Sequence, residues 1–247
     1  MNINKHLIYF TLNNNINYIK LAKLCISSLY NAGYNGDFLF ITNFENEILS
    51  NINFLNAPKF LNLGDQKLIH SSANKLKIFL YKDINKYDKI IFSDTDILWL
   101  KNPNTLFELI NQNKFYVSNE KSLMSDKWWG GDILSDIEKI HIKNNNIFGI
   151  NAGIFGFSSS MIDYIKNIDI FMNHNFHLVN TCLEQPFLNV YLYRNDLYNN
   201  SFTSYISHDG YDNNKYSGTA LHFAGGPGNF NIKYDKMLSY IKNNNLL

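Results

Sequence analysis

Apolar and polar positions along the chain come in blocks whose period shifts between that of a strand and that of a helix. Leu7 to Leu12 is a near-continuous apolar run of strand length, as expected for a strand covered on both faces. From about Ile16 to Ala32, Leu21, Cys25 and Leu29 recur every four residues with Ala22 and Ile26 beside them, which predicts a helix with one buried stripe, stopped by Gly33. Phe38 to Thr42 returns to strand pattern, and this strand, helix, strand order starts a parallel sheet with right-handed crossovers. A second helix is predicted from Ser71 to Ile84 with Leu76, Phe79 and Leu80 inward, followed by a buried strand at Ile90, Ile91 and Phe92. Beyond Pro103 the pattern gives a short helix at Thr105 to Ile110 and strands at Phe115 to Ser118 and Ile154 to Phe157. It then gives helices at Ser159 to Met172 and Glu184 to Tyr193, a late strand at Leu221 to Ala224, and a last helix that begins near Lys233.

The chemistry concentrates where the strand at Ile90 runs into SDTDILWLKNP, Ser93 to Pro103. If the strand continues to its carboxyl end, Asp94 and Asp96 point to one side and Thr95 to the other. Two carboxylates on one face repel unless a positive group lies between them, and a hard divalent cation bridging to phosphate oxygens is a common solution. A solvated turn that happens to contain two aspartates is the plainer alternative. In a parallel sheet ligands sit over the carboxyl ends of the strands, which brings Thr11 and Asn13 to the same crevice as Asp94.

Composition narrows the classes. With 247 residues, 45% of them hydrophobic, the chain can bury a substantial core and is close to the upper size of a single α/β domain. A formal net charge of +1 gives no bulk attraction to nucleic acid or anionic membrane, so no nucleic-acid partner is expected and an anionic ligand has to be met by local charges. Cys25 and Cys182 are the only cysteines, which excludes a disulfide framework or a cysteine-rich zinc site and fits burial as small core residues. No signal peptide or membrane-spanning run is expected, so the sequence reads as soluble and cytoplasmic. The many asparagines read as compositional bias in loops.

SDTDILWLKNP resembles the metal-binding strand and loop of the GT-A glycosyltransferases, in particular the family 8 retaining enzymes. INAGIFGF at Ile150 to Phe157, LEQPFLN at Leu183 to Asn189 and LHFAGGPG at Leu221 to Gly228 match the same family in the same order. The resemblance implies an α/β GT-A fold, with a mixed, mostly parallel central sheet flanked by helices. It implies a single domain over 1–247, with a Rossmann-like nucleotide-binding half to about residue 103 and an acceptor half from about 104. It implies transfer of a sugar, with retention, from a nucleoside diphosphate sugar (UDP-linked by the family's habit) to an acceptor hydroxyl on a glycan, protein or lipid-linked sugar.

Carried over residue by residue, the resemblance gives Asp94, Asp96 and His222 as ligands of Mn²⁺ or Mg²⁺. Thr11, Asn13, Tyr18, Lys75, Asp94, Thr95, Gly225 and Lys233 fall to the nucleotide, Asn151, Ala152 and Gln185 to the donor sugar, and Gln185 with Glu184 to catalysis. Each has a plainer reading. Tyr18 is equally a packing aromatic on a helix face, Lys75 (in SANKLKI) and Lys233 are equally solvated lysines, Asn151 and Ala152 equally open a tight turn at the head of a strand, Glu184 caps its helix, and His222 is a core histidine. Two departures stand out: Glu184 replaces the family's aspartate, and Gly228 replaces its lysine, a loss for which Lys233 is the candidate substitute. Trp128 and Trp129, beside two glycines in KSLMSDKWWGGD, suit either a sugar platform or lid, or a buried pair under the loop. Against the transferase stand a non-catalytic sugar-nucleotide binder, favoured by the missing lysine, and an Asp-x-Asp phosphatase. The phosphatase is disfavoured because its motif belongs on the first strand.

Overall fold

A computed structural model of the chain describes residues 5–13, 15–64, 71–179, 184–209, 216–225 and 229–246. In chain order the regular elements begin with β1 (His6–Leu12), α1 (Tyr18–Asn31), β2 (Asp37–Thr42), α2 (Glu45–Asn51) and β3 (Lys59–Leu61). A 3₁₀ segment, Ser71–Leu80, precedes β4 (Lys89–Ser93), β5 (Ile97–Trp99), α3 (Asn104–Leu109), β6 (Phe115–Leu123) and α4 (Asp136–Asn144). The chain continues through β7 (Phe148–Ser158), α5 (Ile162–Asn175), α6 (Gln185–Arg194), β8 (Tyr198–Asn199), β9 (Ile206–His208), β10 (Ala220–His222) and α7 (Phe230–Asn244).

Seven strands form the main sheet in the order β3-β2-β1-β4-β7-β6-β8. The β3, β2, β1 and β4 strands are mutually parallel, β7 runs antiparallel to both β4 and β6, and β8 is parallel to β6. The apolar runs have their explanation in the two faces. Leu7, Tyr9, Ile90 and Phe92 enter one core cluster, while Ile8, Phe10 and Ile91 enter another across the sheet, so each central strand is covered on both sides. A third cluster holds Leu21, Leu24, Leu98, Leu221, Met237 and Ile241, joining α1 and α7 to a small second sheet of order β5-β10-β9. Among the described residues, no helix is long and apolar enough to cross a membrane.

Three expectations are corrected. The segment expected as an α-helix over Ser71 to Ile84 is a 3₁₀ helix that ends at Leu80, and Leu80 is exposed. Its inward set is Ala73, Asn74, Lys75, Leu76 and Ile78, in which four consecutive residues are buried, an arrangement that no one-sided helical stripe accounts for. The strand expected to end at Ser118 runs to Leu123, and the one expected to begin at Ile154 begins at Phe148, because the two pair with each other over most of their lengths. Cys25 is buried as expected, and Cys182 lies outside the described residues.

Candidate functional site

The site forms where β4 ends. The strand stops at Ser93, so Asp94 and Asp96 lie in the turn between β4 and β5 rather than on an alternating strand face. Their convergence comes from pairing elsewhere. In the small sheet His222 is the register partner of Ile97, and the Phe223 N–H donates to the Asp96 carbonyl at 2.9 Å, which brings a histidine from near the end of the sequence against Asp96. One ligand atom from each of Asp94, Asp96 and His222 lies within 4.8 Å of the others. Asp96 and His222 are buried, and their facing atoms, Oδ1 and Nε2, are 3.3 Å apart.

A break in the pairing of β7 with β6 supplies the backbone of the site. Between Val117 and Ser118 the register on β7 jumps from Phe155 to Asn151, which leaves Ala152, Gly153 and Ile154 without a β6 partner; Ile154 still pairs with β4, and Ala152 and Gly153 do not. Their peptide groups turn instead to side chains and to the motif. The Ala152 carbonyl accepts from Lys75 Nζ at 2.9 Å, and the Ala152 N–H donates to Gln185 Oε1 at 3.1 Å. The Gly153 N–H donates to Asn151 Oδ1 at 2.7 Å, and its carbonyl accepts from the Asp94 N–H at 2.7 Å. Glycine is required there by proximity: a Cβ on residue 153 would fall 2.4 Å from Cε1 and 2.9 Å from Nε2 of His222. The plainer alternative for Asn151 and Ala152, a tight turn, is not what forms: both lie in an irregularity inside β7.

Neither lysine is solvated. Lys75 is buried, with its ammonium 2.8 Å from Glu184, 3.6 Å from Asp94 and over the Phe92 ring. Burial lowers its basicity, but Asp94 and Glu184 outweigh that and raise it. Glu184 stands at the N-cap position of α6 but, against the plainer capping alternative, makes no side-chain capping bond; its carboxylate binds Lys75 and accepts from the Ser72 hydroxyl. Those partners overcome the cost of its burial and hold its carboxyl below the usual glutamate value. Lys233 places Nζ 2.5 Å from Asp96 Oδ2. Burial disfavours the Asp96 carboxylate, and His222 and Lys233 more than compensate, so it lies well below the ordinary range. The Asp94 carboxyl is instead pushed up, by burial and then by its neighbour Asp96, against the pull of Lys75.

These contacts test whether a cation fits. Asp94, Asp96 and Glu184 set three carboxylates against the ammonium groups of Lys75 and Lys233. Asp96 Oδ1 and His222 Nδ1 are buried without a hydrogen bond of good geometry among the described residues, Oδ1 lying 3.3 Å from the His222 Nε2. Two neighbouring aspartates and an adjacent imidazole, gathered within reach of one point, suit a borderline-hard divalent ion.

The remaining candidates scatter around this centre. Thr11, half-buried, and Asn13 stand at the carboxyl end of β1, where Asn13 donates to the Ile41 carbonyl at 3.1 Å. Tyr18 packs edge-on against Phe230 at 5.9 Å, Thr95 is buried beside the two aspartates, and a Cβ on Gly225 would lie 3.4 Å from Lys233 Cε. The glycine turn through Gly228 lies outside the described residues. The tryptophans part company: Trp128 is exposed under the Lys127 ammonium, while the Trp129 ring takes the space that a side chain at Gly149 would need. Ser72 and Glu120 were not anticipated. A strand ending at Ser118 puts Glu120 in a loop, whereas β6 runs on through it to Leu123.

No family model matches this sequence, and no curated protein matches it. Among solved structures, the chain is similar to the apo structure of the WbbM bifunctional glycosyltransferase, with a TM-score of 0.62 at 16% identity over 98% of this chain and 50% of that one. The chain therefore spans about half the length of that protein, and likeness at this identity is likeness of fold. With its mostly parallel seven-stranded sheet flanked by helices, the chain has the α/β architecture of the GT-A, Rossmann-like type.

Proposed function

We propose that this chain is a metal-dependent glycosyltransferase that moves a sugar from a UDP-linked donor to an acceptor hydroxyl with retention. On this reading residues to about 103 serve the nucleotide and later ones the acceptor. The observation that carries it is the convergence of Asp94, Asp96 and His222 at the carboxyl edge of the parallel strands, with Asp96 and His222 buried. The four motifs shared in order with the family 8 enzymes support the retaining assignment.

Asp94, Asp96 and His222 would hold Mn²⁺ or Mg²⁺, which when bound neutralises the departing diphosphate. Lys75, anchored by Glu184 and the Ala152 carbonyl, favours the ionised form of Asp94 and fixes the backbone on which the donor sugar would lie. The Ala152 N–H holds the Gln185 amide by its carbonyl, beside Asn151 and Ala152, where the sugar is expected. In front-face transfer the acceptor oxygen bonds to the anomeric carbon as the bond to the phosphate oxygen breaks. That departing oxygen takes the acceptor proton, so no protein base is needed. Gln185 then acts as a preorganised dipole against positive charge on the sugar.

The test is a panel of UDP-sugars screened for hydrolysis without acceptor in MnCl₂, with EDTA and Asp94→Asn as controls. Turnover that disappears in both controls is expected. Full activity in EDTA overturns metal dependence, and a β-anomer as the first-formed sugar from a UDP-α-sugar, read by NMR before mutarotation, overturns retention.

A further inference from the structure

Beside the metal cluster lies a cleft of about 370 Å³, a volume typical of small-ligand sites, to which the donor reading gives no role. One wall comes from a second irregularity of β6. Between Asn119 and Leu123 the register on β7 advances only from Ile150 to Phe148, so Glu120 is carried out of the ladder and re-aimed. Glu120 is buried, its Oε1 accepts from Asn151 Nδ2, and no described residue donates to Oε2. Asn119 adds a second acceptor: its Oδ1 is buried with no hydrogen-bond partner among the described residues, while its N–H is anchored on Thr203 Oγ1 at 2.9 Å. Phe148, 39% exposed, and Ile206 make the apolar side. Lys121 lies at the mouth.

Two links join the cleft to the reaction centre. Asn151 bonds Glu120 with its amide nitrogen and the Gly153 N–H with its oxygen, and Gly153 abuts His222. On the other side the ring of His208, a lining residue, is 5.5 Å from that of His222.

We propose that this cleft is the acceptor site and receives a pyranose of a neutral glycan, with Glu120 and Asn119 accepting from its hydroxyls and Phe148 covering its apolar face. The proposal rests on the donor reading above. The chemistry selects the class. A carboxylate oxygen and an amide oxygen both call for donors, which sugar hydroxyls supply, whereas a phosphate or uronate brought against Glu120 adds like charge. An aromatic face beside polar acceptors matches a ring whose C–H face and hydroxyl rim differ in polarity.

Saturation-transfer NMR on the full chain with UDP and MnCl₂ tests this, using methyl β-galactoside and methyl α-glucoside against methyl β-glucuronide and glucose 6-phosphate. The neutral glycosides should bind and the acidic ones should not. Glu120→Gln should weaken binding roughly ten- to a hundredfold, the range of a lost hydrogen bond to a charged group. Phe148→Ala, at a half-exposed position that tolerates truncation, should remove the transfer to the ring C–H protons. Equal binding of acidic glycosides, wild-type binding in both variants, or no binding of any glycoside overturns the proposal. Titration of UDP in MnCl₂ separates the two readings. If UDP fails to bind the wild type while the glycosides still do, the donor reading falls and the acceptor role with it, and the cleft is left as a sugar site.

Discussion

Removing the Lys233 ammonium while keeping its apolar stem, as in Lys233→Met, tests what its contact with Asp96 contributes. The pair is 2.5 Å apart, and the two side chains are 11% and 7% exposed, so solvent screens it little. Truncating one partner of such a pair costs about 3–5 kcal/mol, because the other charge stays buried. Asp96 keeps His222 at 3.3 Å, which places the expected loss at the lower end, about 3 kcal/mol. For a chain of this length that corresponds to a fall in Tm of roughly 6–12 °C. A cation on the Asp94, Asp96 and His222 cluster supplies the missing positive charge, so MnCl₂ should raise the variant's Tm more than the wild type's and recover most of the deficit. Differential scanning fluorimetry with and without MnCl₂ measures both numbers. An unchanged Tm in metal-free buffer refutes the argument from burial, and an equal metal-induced shift in the two proteins refutes the claim that Lys233 and the cation stabilise the same carboxylate.

Three further outcomes follow from particular contacts. Glu138 closes a capping box with Ser135 and binds Arg194 on α6 at 2.7 Å, and Arg194 first, with Ser135 adding, lowers its carboxyl from 4.5 to about 2. A depressed folded value means that its contribution is complete above about pH 4.5 and is lost as pH falls through about 2, so Glu138→Gln should cost about 1 kcal/mol at neutral pH and flatten the stability–pH curve in that window. Parallel curves in urea melts would show that the pair contributes nothing. Gly153→Ala pushes a methyl group into the His222 imidazole and should weaken Mn²⁺ binding roughly tenfold, as displaced supports of metal ligands do; an unchanged affinity by EPR titration would count against His222 as a ligand. Gln185→Ala should slow transfer by roughly ten- to a thousandfold, the range of one preorganised dipole, and a rate equal to wild type would leave the amide only its hold on the Ala152 N–H.

Local sequence determined the elements whose physics is local. The runs at Leu7 and Ile90 specify strands covered on both faces, the four-residue recurrence of Leu21, Cys25 and Leu29 specifies α1, and Asp94 with Asp96 marks the end of β4, because period and solvation act over a few residues. Tertiary structure decided the company each side chain keeps. Nothing near Lys75 in the sequence shows that its ammonium is buried, because its main partner, Glu184, stands at the start of α6, far along the chain. The 3₁₀ winding of Ser71–Leu80 accompanies that burial, and helical period in the sequence does not encode it. His222, nominated by its motif, is brought against Asp96 only through the register of β10 on β5, and Glu120 reaches its cleft only through slippage of β6 against β7. Strand register is set by which partner strand closes the sheet, a contact between segments far apart in the chain, so a residue's type and spacing can nominate it for chemistry while its charge partners are fixed only on folding.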